Sequence, residues 1–160
     1  MITVSPAEPR DVAAIAVLLE ELGSYYGATE FEPLDQRIIR INQAIFGHPP
    51  AAYALLARDG RQVAGLAAYS FLWPAVGATR SLYLKELYVL DAYRRLGIGR
   101  LLVRAVFETA AGLGCSRVEW TTDVGNTGAQ AFYAKLGLPD HPVKVFYRVE
   151  DTGSGLGSIG

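Results

Sequence analysis

Apolar positions along the chain repeat with two periods, and the change from one to the other marks out the elements. Ile2-Thr3-Val4-Ser5 alternates and predicts a short first strand. Pro9-Arg10-Asp11 then opens a helix through about Tyr26, with Ile15, Leu18, Leu19 and Leu22 on one face and Gly23 weakening its end. A loop rich in aromatic and acidic residues, 25–33, leads to a second helix from near Leu34 to Phe46, which packs Ile38, Ile41 and Ile45 and stops at Gly47-His48-Pro49-Pro50. The segments 52–58 and 62–72 read as strands joined at Asp59-Gly60, a hairpin signal. Residues 82–90, apolar and aromatic almost throughout, predict a buried central strand. Helical spacing returns at Ile98, Leu102, Ala105, Thr109 and Leu113, with Arg100, Arg104 and Glu108 on the wetter side. A strand over 117–122, a short helix from Thr127 to Leu136 closed by Gly137, and a last strand from Val143 to Val149 complete the pattern. No repeat or linker divides residues 1–150, which are expected to form one domain, and 151–160 are expected to be a flexible tail.

Composition narrows the class. At 160 residues, 51% hydrophobic and 19% charged, the chain can bury a substantial core. A net charge of −1 gives no field for a polyanion, so nucleic acid is not an expected partner. No apolar run approaches the ~20 residues of a membrane span, and the N-terminus lacks the basic and apolar segments of an export signal. Cys115 is the only cysteine, which fits a reducing compartment, and a cytoplasmic location is expected. His48 and His141 stand alone, without a second ligand at zinc-like spacing, so no metal site is expected.

The chemistry concentrates where the central strand meets the following helix, at Asp91-Ala92-Tyr93-Arg94-Arg95-Leu96-Gly97-Ile98-Gly99-Arg100. Glycines allow close backbone approach, a helix N-terminus offers unpaired N–H groups, and Arg94 and Arg95 add charge; together they suit an anion, most naturally a phosphate. A P-loop would need Lys-Ser or Lys-Thr after its second glycine, where Arg100-Leu101 stands, and a dinucleotide fingerprint would need a third glycine. Arg-x-x-Gly-x-Gly remains, at Arg94, Gly97 and Gly99. It resembles the acetyl-CoA pyrophosphate loop of the GCN5-related N-acetyltransferases (GNAT), preceded by what resembles that family's splayed strand. A second stretch, Asn126-x-x-Ala129-x-x-Phe132-Tyr133-x-Lys135-x-Gly137, resembles the family's closing helix at each named position. With the order of elements, the resemblance covers most of residues 2–149. It implies an α/β (α+β) GNAT fold, a mixed, mostly antiparallel twisted sheet of six to seven strands flanked by about four helices, with a splayed central strand.

The resemblance also implies a cofactor site for acetyl-CoA. Edge groups at Leu87, Tyr88 and Val89 would pair with the pantetheine arm as an added strand. N–H groups of Arg95, Leu96, Gly97, Ile98, Gly99 and Arg100 would wrap the pyrophosphate beside Arg94. Asn126, with Ala129 of the same motif, would contact the pantetheine, and Tyr133 would lie near the sulfur. A thioester is already activated, so a protein need only hold it, polarise its carbonyl with a fixed N–H and bring up a neutral amine. A phenol with a pKa of ~10 can then protonate the leaving thiolate, the role the family motif gives Tyr133; the alternative is a core tyrosine.

Glu86, a carboxylate in an apolar strand, is the leading candidate to deprotonate the amine. The alternatives are an ion pair with Lys85, Arg80 or Arg117, and proton removal through water; Glu119 and Asp123 are weaker candidates. Within the family the chain looks most like the diamine and polyamine acetyltransferases, through Glu21-Leu22-x-x-Tyr25, Phe46-Gly47-His48-Pro49 and Leu82-Tyr83-Leu84 before a charged pair. It departs from them at Tyr26 and Lys85, where those enzymes place acidic residues. Tyr25, Tyr26, Lys85 and Glu86 are therefore the expected acceptor-side residues, with tyrosines able to stack on a guanidinium and a lysine set to repel a second ammonium. The expected activity is acetyl transfer to a primary amine of a small molecule. Acetylation of a protein N-terminus or lysine is one alternative, and a non-catalytic acyl-CoA sensor another. A homodimer is a family implication only.

Overall fold

The computed structural model describes residues 1–159, and these fall into two compact units, one over Met1–Thr121 and one from Thr122 onward. The first holds β1 (Ile2–Pro6), α1 (Val12–Tyr25), α2 (Leu34–Phe46), β2 (Tyr53–Asp59), β3 (Gln62–Leu72), β4 (Ser81–Val89), α3 (Ile98–Gly112) and β5 (Arg117–Glu119). The strands form one sheet in chain order, antiparallel from β1 to β4, with β5 added parallel to β4. The Asp59-Gly60 hairpin forms as its sequence dictates: Asp59 pairs with Gln62, and Gly60 takes the positive φ that the turn requires.

Each face of the sheet is covered by helix. Ile15, Leu18 and Leu22 of α1 and Ile41 of α2 pack against Leu56, Leu66 and Tyr88 on one side. On the other, α3 lays Ile98, Leu102, Val106 and Ala110 against Leu55, Ala67, Leu82 and Leu84. The buried stripe of α3 is rotated from the expected one: Val103 and Val106 are inside, whereas Leu113 is exposed beyond the helix end. The start of α1 is fixed to the sheet by a bidentate pair, Arg58 donating to both carboxylate oxygens of Asp11 at 3.1 and 2.8 Å, while the Glu8 N–H donates to Asp11 Oδ2 at 2.7 Å. Burial opposes ionisation of Asp11. The guanidinium and the Glu8 amide outweigh it and hold the carboxyl below its ordinary pKa.

One irregularity in β4 matters for everything that follows. The β3–β4 register passes from Ala68↔Glu86 to Tyr69↔Leu84, leaving Lys85 as an extra residue. A one-residue bulge reverses the side-chain phase. Leu82 and Leu84 before it, and Leu87 and Val89 after it, all belong to the α3 side of the core, whereas Glu86 shares the α1 and α2 side with Tyr88.

Three expectations are corrected. The sheet has five strands among the described residues, not six to seven. Val143–Val149 is not a strand: it has no ladder partner among the described residues and its apolar side chains are exposed, while Arg148 reaches Glu150 at 3.8 Å and stacks on Phe146. Alternation gives a propensity, but only a neighbouring strand supplies the hydrogen bonds. The strand expected over 117–122 ends at Glu119. The second unit contains α4 (Thr127–Lys135) and α5 (Thr152–Ile159). The latter lies where a flexible tail was expected, started by Asp151, whose side chain accepts from Gly153 N–H at 3.0 Å and whose carbonyl accepts from Gly155 N–H at 3.0 Å. Gly160 of that tail lies outside the described residues.

Candidate active site

The two halves of β4 differ in their neighbours. Ser81–Tyr83 pairs with β3 on one side and with β5 on the other, but from Leu84 to Val89 only β3 is paired among the described residues. The carbonyl of Tyr88 faces β3, where a Cβ on Gly65 would meet it at 2.9 Å, and the Leu90 N–H donates to Ala64 at 3.0 Å. By alternation, Leu87 and Val89 turn their N–H and C=O groups to the open side. Tyr88, grouped with them on resemblance, turns its backbone to β3 and its ring toward α1.

Just beyond the open edge the chain bends twice into left-handed conformation, at Arg95 (φ 63°) and at Gly97 (φ 78°), the residue that precedes α3. Such values favour glycine, and a side chain there is uncommon enough to mark a loop held in a particular shape. Among the described residues no side chain caps α3. The N–H groups of Ile98, Gly99 and Arg100 are the unpaired donors of a helix start. The bend and the donors lie in a stretch that also carries Arg95 and Arg100, which makes it a basic loop.

On the α1 side of the same strand a cavity of about 600 Å³ is lined by Glu20, Glu21, Tyr25, Tyr88, Asp91 and Arg94, among others. Arg94 turns into it. Its guanidinium carbon lies 5.1 Å from the Tyr25 ring centre and 5.7 Å from that of Tyr88. Its NH1 group is 3.1 Å from Asp91 Oδ1, and its Nε donates to the Val89 carbonyl at 3.3 Å. Tyr26 packs edge-on against Tyr25 with ring centres 5.4 Å apart. Beneath this rim lies buried Arg37, which donates to Glu20, to Glu32 Oε1 at 2.8 Å and to the Ala16 carbonyl at 3.2 Å. Its hydrogen bonds to Glu20 and Glu32 raise its pKa, and Arg37 in turn lowers that of Glu32.

Glu86 is partly buried on the cavity side of β4, and Lys85 Nζ approaches its Oε1 at 3.8 Å. Of the ion pairs considered for Glu86, the one to Lys85 is present; Lys85 itself, the bulge residue, is mostly exposed. In the second unit, Asn126 caps α4 by accepting from the Ala129 N–H at 3.1 Å. Phe132 and Tyr133 are ring neighbours at 5.1 Å, and Gly137 ends the helix at φ 74° with the Leu138 N–H returned to the Tyr133 carbonyl. Among the described residues no group of three or more His, Cys, Asp and Glu is gathered to hold a metal ion, and no helix is long and apolar enough to cross a membrane.

The sequence profile of the acetyltransferase (GNAT) family matches residues 15–138. The chain belongs to that family. This GNAT protein is accordingly an acyltransferase. It is 29% identical to the thialysine N-epsilon-acetyltransferase of Mus musculus over 146 residues, covering 84% of this chain and 82% of that one. It is 36% identical to L-ornithine N5-acetyltransferase NATA1 of Arabidopsis thaliana over 75 residues, 47% of this chain but only 33% of the plant protein. An integron cassette protein from the mobile metagenome of V. cholerae has the same fold, with a TM-score of 0.88 at 23% identity, over 99% of this chain and 98% of that one.

Two elements of this GNAT site were not legible from motifs. Arg37 sits one turn before Ile41 on the inward stripe of α2, and a cation on an apolar stripe with Glu32 shortly before it was the available signal. Asp91 shows none beyond its place between strand and loop. The cofactor implied by the family fits the residues present: a strand edge at Leu87 and Val89 that no further strand covers among the described residues, followed directly by a basic loop and a helix start, matches an amide-bearing arm that ends in a diphosphate.

Proposed function

We propose that the protein moves the acetyl group of acetyl-CoA to a primary amine of a small molecule (a polyamine, an amino acid or another amine-bearing metabolite) by direct attack in a ternary complex. The observation that carries this reading is the open half of β4: one strand presents an unpaired edge to one side and, two residues from Glu86, an aromatic ring to an acid-lined cavity. Leu87 and Val89 would hold the pantetheine arm, and the loop from Arg94 through Arg100 the diphosphate. The bound thioester supplies an activated acetyl group. Glu86 takes the proton that the attacking ammonium must lose. Tyr133 donates a proton to the departing thiolate, a role supported by the Asn126–Gly137 motif. Residues 1–150 are proposed to act as one catalytic domain, in the cytoplasm, with homodimerisation open to test.

The relatives favour small amines: one is named for thialysine and another for L-ornithine. The test is a thiol-release assay with acetyl-CoA against amino acids, diamines, monoamines and N-terminal peptides. Turnover on small amines and not on peptides is the expected result. Turnover on peptides alone would establish the protein-acetylating alternative. Calorimetric binding of coenzyme A without turnover on any acceptor would establish the sensor.

A further inference from the structure

Arg94 opens the Arg-x-x-Gly-x-Gly stretch proposed to meet a diphosphate, yet its side chain points away from the loop and into the cavity. What holds it there is a recognition set for an organic cation: two tyrosine ring faces and the carboxylate of Asp91. Charge in the cavity points the same way. Glu20 is engaged by Arg37, whereas among the described residues Glu21 has no ion-pair partner. With Arg94 in place, Asp91 is matched and Glu21 is not; with Arg94 withdrawn, two carboxylates face two aromatic rings with no cation between them. The contacts of Arg94 are also replaceable. Asp91 is exposed, so its pair with Arg94 is weak, whereas a guanidinium on a phosphate makes short, charge-assisted bonds. Finally, Arg94 Nε occupies the carbonyl of Val89, an acceptor on the open edge of β4.

We propose that Tyr25, Tyr88, Asp91 and Glu21 form a subsite for a second positive group on the acceptor, and that Arg94 is its resident occupant until a coenzyme diphosphate draws the guanidinium out. This rests on the acetyl-CoA reading above. One side-chain movement then does two things: it frees the Val89 carbonyl for the pantetheine arm and opens the cation subsite. Diamines and basic amino acids gain from the opening, and monoamines do not. The selectivity lies in the rings and Asp91, where the sequence alone pointed to Lys85 as an obstacle to such acceptors.

The test is calorimetry on the full chain with 1,4-diaminobutane and, as control, butylamine, each with and without saturating coenzyme A, whose free thiol allows no turnover. Coenzyme A is expected to tighten diamine binding about tenfold or more (~1.4 kcal/mol) and to leave butylamine within about twofold. Arg94→Gln should give the diamine, in the free protein, the affinity that the wild type reaches only with coenzyme. Tyr25→Leu, at an exposed position, should weaken the diamine and not butylamine in the wild-type complex. Equal diamine affinity with and without coenzyme overturns the proposal. So does an Arg94→Gln protein that binds the diamine no better than the free wild type, or a Tyr25→Leu protein that loses both amines equally. If coenzyme A itself does not bind the wild type, the acetyl-CoA reading fails; if it binds without coupling, that reading stands and this proposal fails.

Discussion

The first three residues of β4 and the last six lie on one strand, share β3 as a neighbour and have similar hydrophobicity, yet they do opposite work. Ser81–Tyr83 is hydrogen-bonded on both sides and carries Leu82, fully buried, into the α3 core. Leu84–Val89 has lost β5, carries the bulge at Lys85 and brings Glu86 and Tyr88 to the acid-lined side. Hydrophobicity alone does not separate them. Register does: a single extra residue turns a structural strand into one that offers a backbone edge on one side and a carboxylate and a phenol on another.

Abolishing the bulge should erase the contrast. Inserting one alanine between Ala68 and Tyr69 gives Lys85 an opposite number, so that with Leu82 and Leu84 still on the α3 side unbroken alternation turns Glu86 into the α3 core, where a buried carboxylate costs about 5 kcal/mol. The expected outcome is loss of cooperative unfolding in urea and of coenzyme binding together. Leu82→Ala tests the doubly paired half by itself: about 3 kcal/mol of stability should be lost from the urea midpoint, with coenzyme affinity of the folded protein within about twofold of wild type. Glu86→Gln tests the open half. Stability should change by less than ~1 kcal/mol, because the amide keeps the shape of the carboxylate and the Lys85 pair is long, while kcat falls about 100-fold. A fall below about threefold would assign proton removal to water. The smallest effect is expected from Tyr133→Phe, a drop of about tenfold in kcat with an unchanged coenzyme dissociation constant. An unchanged rate would remove Tyr133 from the reaction.

Much of this was readable in the sequence, because local physics writes it there. Asp59-Gly60, and Gly97 and Gly137 at their helix ends, each answer to a backbone requirement that few residues meet. The phosphate-type loop could be named from Arg94, Gly97 and Gly99 for the same reason. The bulge could not. Lys85 in an apolar run looks like any exposed strand residue, and only the pairing with β3 shows that it has no opposite number. Nor could the orientation of Arg94, which depends on where α1 brings Tyr25 in space. The misplaced strand over Val143–Val149 has the converse cause: its pattern is sound, but a pattern does not provide a neighbour.

The burial of Arg37 has a consequence for how this recognition surface can change. Its guanidinium ties Glu20 in α1 to Glu32 at the end of the connecting segment, and it stacks on Phe31 at 5.5 Å. The tyrosines above it are thus fastened from below by bonds that do not involve their own side chains. Exchanging Tyr25 or Tyr26 for other residues leaves the frame standing, so a lineage can retune its choice of amine at the rim without first rebuilding the scaffold.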